Sequence, residues 1–541
     1  MLRGALIAGL LLAASPALAD ETSATDKLRI LYSTRFTFTD DGLPLVTVEI
    51  MEGRHDVHLR AKGGVAVRPD GEGGSTIEAD GGEAWTITVE NAKPAVLQDW
   101  TVVETLQPDD ANGINAAMAR WKERGFDPRT FEIGTVFGTG GEIIDTREMR
   151  IAVDPVALGK GAAHAAELGK RFGVPTSVHQ ELVRRPSGMI VARSGGTTIR
   201  NPSVLWFTPK HASETLTVTE VPTNTGGSQL ETGSEDRRYW GAVYVTLDHE
   251  GTLIAANAVP EDKLLAGLVP AEMYPDAPAA ALEAQAIAAR TELLQKIGRR
   301  NLTDPFLLCS TQQCQVYAGA GKEDPRANRA IEKTHGMVLL RDGGGMVDIR
   351  YSASCGGHTE DNDAIWGGEA DPSLRGRTDD AKANMSRVTD DNIDSFLAES
   401  PDDAYCGHGK NAKSKFRWTE KITIEDLTAR VATEYPEIGR VKNLVAKTRG
   451  VSGRIETLTL KGDKASVDVS GDVHIRRLLG GLKSTLFKIE LAKGTFTFHG
   501  AGFGHGVGMC QMGAIGMADA GKTHVDILKH YYRGTHLHRL Y

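Results

Sequence analysis

The chain has 541 residues, with 62 Lys and Arg against 71 Asp and Glu and a formal net charge of −9 at neutral pH, so it carries no basic surplus for a nucleic-acid partner. Its length allows about two to four domains, each able to bury a core of its own. Five cysteines, Cys309, Cys314, Cys355, Cys406 and Cys510, permit two disulfides at most and leave one thiol over.

Residues 1–19, MLRGALIAGLLLAASPALA, combine one arginine, an apolar run too short to span a bilayer and a small-residue Ala17-Leu18-Ala19 site. This is the pattern of a cleaved secretory signal. Cleavage there moves the formal charge from −9 to −10, because Arg3 is the only charged residue removed. No later stretch reaches about 18 consecutive uncharged apolar residues. The mature protein is therefore expected in the periplasm or cell envelope with no integral membrane segment, where cysteines can pair.

From residue 28 to 95, apolar and polar residues alternate in LRILYSTRFTF, LVTVEI, VHLRAKGGVAV and WTITVE. Gly, Asp and Pro separate these runs, which predicts short antiparallel strands in a β-rich part covering 20–96. Between 97 and 195 the period changes. WTVVETL leads into a helix ANGINAAMARWKERG, strands around FEIGTV and EMRIAV, a helix GKGAAHAAELGKRFG and further strands, a βαβ pattern that occurs twice. Size and duplication resemble a sporulation-related repeat domain, a peptidoglycan-binding module, so this segment is expected as a small inserted glycan-binding domain. Strands return over 197–258 around a Thr/Ser/Gly-rich looped segment at 223–235. The expected class is α+β: a mixed β-rich and helical catalytic domain, completed by 196–541, that carries an inserted βαβ-repeat domain.

The clusters with chemical potential follow residue 260. LLAGLVPAEMYPDAP sets Glu272 in a loop between two prolines, beside Met273 and Tyr274. Apolar neighbours disfavour a charged carboxylate and raise its pKa toward the range where an acid donates a proton at neutral pH. An exposed Glu capping the next helix is the plainer alternative. That helix, APAAALEAQAIAARTELLQKIG, opens at Pro278 and closes at Gly298. Its buried stripe is Leu282, Ala286, Ala289, Leu293 and Ile297, with Glu283, Gln285, Arg290 and Thr291 as a polar face.

Further on, YSASCGGHTEDNDAIWGG holds Ser354, Cys355, His358 and Glu360 in a tight polar stretch after a strand. Cys355 and His358 have the residue types of a nucleophile and its base, or of metal ligands. Cys406 in DAYCGHGK offers Cys355 a disulfide partner, and that pairing is preferred. Cys309 and Cys314, five apart with no nearby histidine, are a poorer zinc signature than C-x-x-C pairs. A local disulfide is expected there, leaving Cys510 as a small buried residue.

Near the C-terminus, GAGFGHGVGMCQMGAIGMADAGKT has glycine at every second position from Gly500 to Gly508. Such spacing clears side chains from one surface, so a bulky ligand is expected to approach the backbone there, next to His505. The end, GMADAGKT, fits the phosphate-loop pattern G-x-x-x-x-G-K-S/T. The preceding MCQMGAI reads as a helix rather than a strand, and Gly521 and Thr523 read as the end of one helix and the cap of the next. No nucleotide is expected.

Taken in order, LVPAEMYPDAPAAALEAQAIAARTELL, CQVYAG, YSASCGGHTE, FRW, SGRIETLTL, IRRLLGGLKSTLF and the glycine-rich block with ILKHYYRGTHL resemble the stage II sporulation protein D family over residues 236–541. The resemblance implies an exported peptidoglycan lytic transglycosylase, a carbon–oxygen lyase that cleaves MurNAc-GlcNAc bonds of peptide-stripped glycan and leaves 1,6-anhydro ends. Some members are described as amidase enhancers, so the alternative is a non-catalytic glycan-binding partner of a cell-wall amidase. Carried over position by position, the resemblance places the essential glutamate at Glu272 and substrate-binding positions at Gln285, Arg290, Ser354, His358, His505 and Gln511. Some members bind zinc through one His and two Cys at the block matching CSTQQC. Gln313 occupies the His position here, and the expectation is no cofactor and no metal. One carboxylate suffices for a transglycosylase, because the muramic acid 6-hydroxyl is a tethered nucleophile. A hydrolase would enlist a second one, with Glu360 or Asp363 as the candidates.

Overall fold

The computed structural model describes residues 31–541 except 34–36, 40–41, 70–75, 80–82, 140–141, 224–232, 312–313, 315, 381–386 and 410. The expected signal peptide, most of the looped segment at 223–235 and Gln313 lie outside the described residues. Alternation in the N-terminal part becomes antiparallel sheet: Pro44–Arg54 buries Val46, Val48 and Ile50 and pairs with Leu253–Pro260, a strand from beyond the inserted segment. Seven strands make one sheet, in which Ala242–Leu247, Leu205–Pro209 and Val65–Arg68 extend that pair. A second, six-stranded sheet centres on Ser187–Ser194, Trp85–Lys93 and Asp56–Arg60. The two share one core, where the Trp85 and Phe207 rings meet edge-on at 6.1 Å, so apolar faces that alternate along each strand are buried together.

Inside this sandwich's sequence lies a four-stranded antiparallel sheet of Val96–Leu106, Arg129–Ile133, Glu148–Ala157 and Ser177–Arg184. Their spatial order is fourth, first, third, second. The helices Ala111–Glu123 and Gly161–Phe172 cover it, with Trp121 and Leu168 against Val103, Ile151 and Val153. The two βαβ halves are therefore interleaved as βαββαβ rather than laid side by side. A strand between first and second lets both helices share one apolar face.

The expected α+β class is observed, and its helical part differs from the sequence reading in one respect. Ala279–Lys296 is buried almost all round, including Glu283, Gln285, Arg290 and Thr291. The predicted polar face is interior because Glu261–Glu272, Pro325–Lys333, Gln511–Asp519 and His524–Tyr531 surround this helix. Arg290, fully buried, forms an ion pair with Glu261 at 2.7 Å and donates to the carbonyls of Thr334 at 2.8 Å and Met337 at 3.2 Å. Glu283 accepts from Lys333 and His524, each at 2.7 Å.

Beyond residue 400 a second lobe forms from two three-stranded sheets, one of Arg417–Thr423, Thr495–Ala501 and Phe487–Ala492, the other of Val441–Arg449, Ile455–Gly462 and Ser466–Ser470. The helices Ile424–Val431 and Asp472–Leu478 complete its core around Leu458, Phe487 and Phe496. At the phosphate-loop lookalike, Gly521 follows a helix end at φ +79° and Thr523 caps His524–Tyr531 through a capping box with Asp526. Its lysine and threonine thus sit in a helix–helix corner. Among the described residues no helix is long and apolar enough to cross a membrane.

Candidate active site

Where the helical core meets the C-terminal lobe there is a cleft of about 790 Å³. Glu272, Glu292 and Lys296 face it from the helices, and Asp472, His474 and Arg476 from the lobe. Arg350, Trp366, Phe503 and His505 also line it.

Glu272 is not in a loop. It is the last residue of the helix Glu261–Glu272, which tolerates Pro270 in its final turn. One carboxylate oxygen, Oε1, accepts the Val316 N–H at 3.0 Å. Removal from water pushes the Glu272 carboxyl up to about 7, the Val316 bond and the Lys296 ammonium pull the other way, and the charge of Glu292 adds to the rise. A helix C-terminus also disfavours added negative charge. The segment bearing Val316 is anchored by the expected disulfide Cys309–Cys314, with Cα atoms 5.5 Å apart, and by Lys296 donating to the Cys314 carbonyl at 2.6 Å. Two joined sulfurs cannot both serve as thiolates, so this block does not fit the zinc set found in some family members.

Gln511 opens the helix Gln511–Asp519 and lines the cleft. Its Nε2 donates to the Glu272 carbonyl at 2.9 Å and to Gln285 Oε1 at 3.2 Å. Gln285, fully buried, therefore stands behind Gln511 and fixes the glutamate's backbone through it. His505 accepts the Val507 N–H on Nδ1 at 3.0 Å, and its ring lies 5.0 Å from that of Trp366. Burial, with Arg454 and Arg350 nearby, lowers its imidazole to about 4 despite Asp472. The ring is thus neutral at pH 7, and with Nδ1 accepting, its proton resides on Nε2.

The other predicted positions lie off the cleft lining. Ser354 is fully buried and exchanges backbone hydrogen bonds with Phe503 at 3.1 and 2.8 Å, two residues after the cleft-lining strand Tyr351–Ser352. His358 is fully buried, with Nδ1 2.6 Å from the Thr359 carbonyl. Arg290 holds the helix core. Glu360 is buried and accepts from Ser452 Oγ at 2.6 Å and Val451 N at 2.9 Å, while Asp363 pairs with Arg375. Besides Asp472 on the lobe, the cleft holds a second carboxylate on the helices, Glu292, which sequence reasoning missed. It pairs with Lys296 one turn on and with Arg350 at 3.9 Å. An acid and a base four apart on a helix without an exposed face was the available signal.

The alternating glycines serve packing rather than a broad ligand surface. At Gly506, φ is +79° and a Cβ would meet the Arg454 guanidinium carbon at 2.3 Å; at Gly508 it would meet the Arg350 carbonyl oxygen at 2.1 Å. Of Gly500 to Gly508 only Gly504 lines the cleft. The expected Cys355–Cys406 disulfide is not formed. The sulfurs are 3.6 Å apart, and Cys355, Cys406 and Cys510 are all free and buried. A third sulfur and Asp379 share their pocket.

Residues 249–340 match the family model described as Stage II sporulation protein, and residues 360–508 match a domain of unknown function. An uncharacterised protein of Brachyspira hyodysenteriae is 29% identical over 301 residues, 55% of this chain and 71% of that protein. The amidase enhancer of Bacillus subtilis is 29% identical over 299 residues, 50% of this chain and 40% of the relative. Stage II sporulation protein D of Bacillus amyloliquefaciens is 27% identical over 306 residues, 54% of this chain and 76% of the relative. These matches support a stage II sporulation protein D-like region in this chain.

Proposed function

We propose that the protein is an exported lytic transglycosylase of bacterial cell-wall glycan, acting on peptide-stripped strands in the periplasm or envelope with Glu272 as its single acid and base. The observation that carries this reading is a carboxyl raised to about 7 inside a cleft, one oxygen held by a backbone N–H and the other left for substrate. An acid of that pKa is half protonated near neutrality and is matched to both halves of the reaction.

Glu272 gives its proton to the glycosidic oxygen as the bond from that oxygen to muramic C1 breaks. The muramic 6-hydroxyl then attacks C1, and Glu272 takes its proton, which restores the acid and leaves a 1,6-anhydro end. Tethered nucleophiles reach effective molarities on the order of 10⁵ M, so water need not be activated. Glu292, engaged by Lys296 and Arg350, lines the same cleft and helps to keep the Glu272 proton in place by its charge. The half-exposed faces of Trp366 and Phe503 offer stacking surfaces for sugar rings. His505 lines the cleft as a neutral ring fixed by backbone hydrogen bonds to Val507 and Tyr351, and Gln511 with Gln285 keeps the glutamate in place.

Mass spectrometry of denuded glycan after digestion tests this. Wild type should release anhydro-ended sugars and Glu272→Ala should release none while still binding strands. Reducing muramic ends would assign a hydrolase. The absence of any cleavage, with stimulation of a cell-wall amidase, would favour the role in the name of the Bacillus subtilis relative.

A further inference from the structure

We propose that Cys355, Cys406, Cys510 and Asp379 form a closed tetrahedral site for a zinc ion, separate from the cleft, which clips together the segments that carry its lining. One ligand atom from each of the four residues lies within 4.8 Å of the others, and all four residues are buried. A tetrahedral zinc with Zn–S bonds of about 2.3 Å sets its sulfurs about 3.8 Å apart. Cys355 Sγ and Cys406 Sγ are already 3.6 Å apart.

Two of the four ligands, Cys510 and Asp379, already accept hydrogen bonds in this arrangement. Cys510 Sγ accepts backbone N–H groups from Cys355 at 3.1 Å and Gly513 at 3.3 Å. Asp379 is fully buried; its Oδ2 accepts the Cys406 N–H at 2.9 Å and its Oδ1 accepts the Tyr531 hydroxyl at 2.6 Å. Such outer bonds orient metal ligands and increase their affinity. Gly513 has no alternative, since a Cβ there would meet Tyr531 Oη at 2.0 Å and Asp379 Oδ1 at 2.7 Å.

A purely structural thiol core does not explain the acid. Among the described residues the only ion pair of Asp379 is with His530 Nε2 at 3.8 Å. A fully buried carboxylate is costly to keep charged without a cation in direct contact. A divalent ion supplies the missing charge, and three sulfurs select zinc over calcium or magnesium. Burial leaves no open coordination position, so the ion is structural. Each coordinating thiol releases its proton to solvent on binding.

The location gives the ion a task. Cys510 immediately precedes Gln511, and the strand Met509–Cys510 runs parallel to Tyr351–Ser352, which lines the cleft. Cys406 and Asp379 tie in the segments between.

Metal analysis of the purified full chain, with thiol titration, tests the site. One zinc per chain is expected, retained in the Cys309→Ser, Cys314→Ser double variant. Three native thiols should become reactive only on chelation. Asp379→Asn should weaken zinc binding by more than the about 10–100-fold that loss of an outer hydrogen-bond partner costs. Cys406→Ser should lose the zinc; should that variant fail to fold, cobalt exchanged into wild type provides the second measurement, with tetrahedral thiolate–cobalt absorption expected. A metal-free protein with a Cys355–Cys406 disulfide, octahedral cobalt, or reactive thiols without chelator overturns the proposal.

Discussion

Two carboxyl groups of this chain are pushed to the same value by the same cause. Glu272 at the end of its helix and Asp379 among the three thiols both rise to about 7, and in each the largest contribution is loss of water. They differ in what faces them. Glu272 opens on a cleft of about 790 Å³ with, among the described residues, a single protein hydrogen bond to its carboxylate, whereas Asp379 is sealed and accepts from both Tyr531 and Cys406. A raised pKa by itself therefore does not mark a catalytic acid. An unfilled acceptor position beside empty volume does.

Substitution should separate the pair most sharply. Glu272→Gln is expected to lower the rate of anhydro-sugar release by about 10²–10⁴-fold, with the melting temperature unchanged or higher, read by product assay and calorimetry. Asp379→Ala should do the reverse to first order: loss of about 2–4 kcal/mol of stability, since the Tyr531 hydroxyl and Cys406 N–H lose their acceptor in a sealed site, measured by denaturant unfolding. Equal loss of activity and fold in both variants would erase the distinction.

The pH dependence is next in size. The protonated form of Glu272 starts the reaction, so kcat/KM should fall about tenfold per unit as pH rises beyond about 7. For stability the sign is fixed by a folded pKa raised above the ordinary carboxyl value of 4.5: Glu272 binds its proton more tightly in the fold. Wild type therefore loses stability relative to Glu272→Gln as pH rises from about 4.5 to about 7, by about 3 kcal/mol in all, and little more above that. An identical pH profile of unfolding in the two proteins would contradict the buried placement.

The smallest effects test the cleft's own charges. Lys296 lowers the Glu272 pKa and Glu292 raises it. Lys296→Met should move the activity limb to higher pH and Glu292→Gln to lower pH, each by less than about one unit. Shifts of the same sign would mean that the two act through structure rather than charge.

Legibility in the sequence followed the range of the interactions involved. Period-2 alternation gave the strands of the sandwich, and the change to helical period marked the inserted α+β segment, because both patterns are set by neighbours within a few residues. Interleaving of the two βαβ halves was invisible, since which strand lies beside Val96–Leu106 depends on the sheet as a whole. Ala279–Lys296 looked amphipathic, yet Gln285 and Arg290 have buried partners on other segments, Gln511 and Glu261. The Cys309–Cys314 bridge closes over five residues and could be read locally. The neighbours of Cys355 could not, because Asp379 and Cys510 reach it from other loops.

The sequence alone determined the α+β class, the order of strands and helices, the helix corner at Thr523 and the family signature around Glu272. Only the tertiary structure decided that Glu272 ends a helix above a cleft, that Glu292 joins it there while Glu360 does not, and that three thiols converge on one acid. The first set depends on short-range periodicity and backbone geometry. The second depends on desolvation and charge between residues far apart in the chain, and these exist only once the lobes have packed.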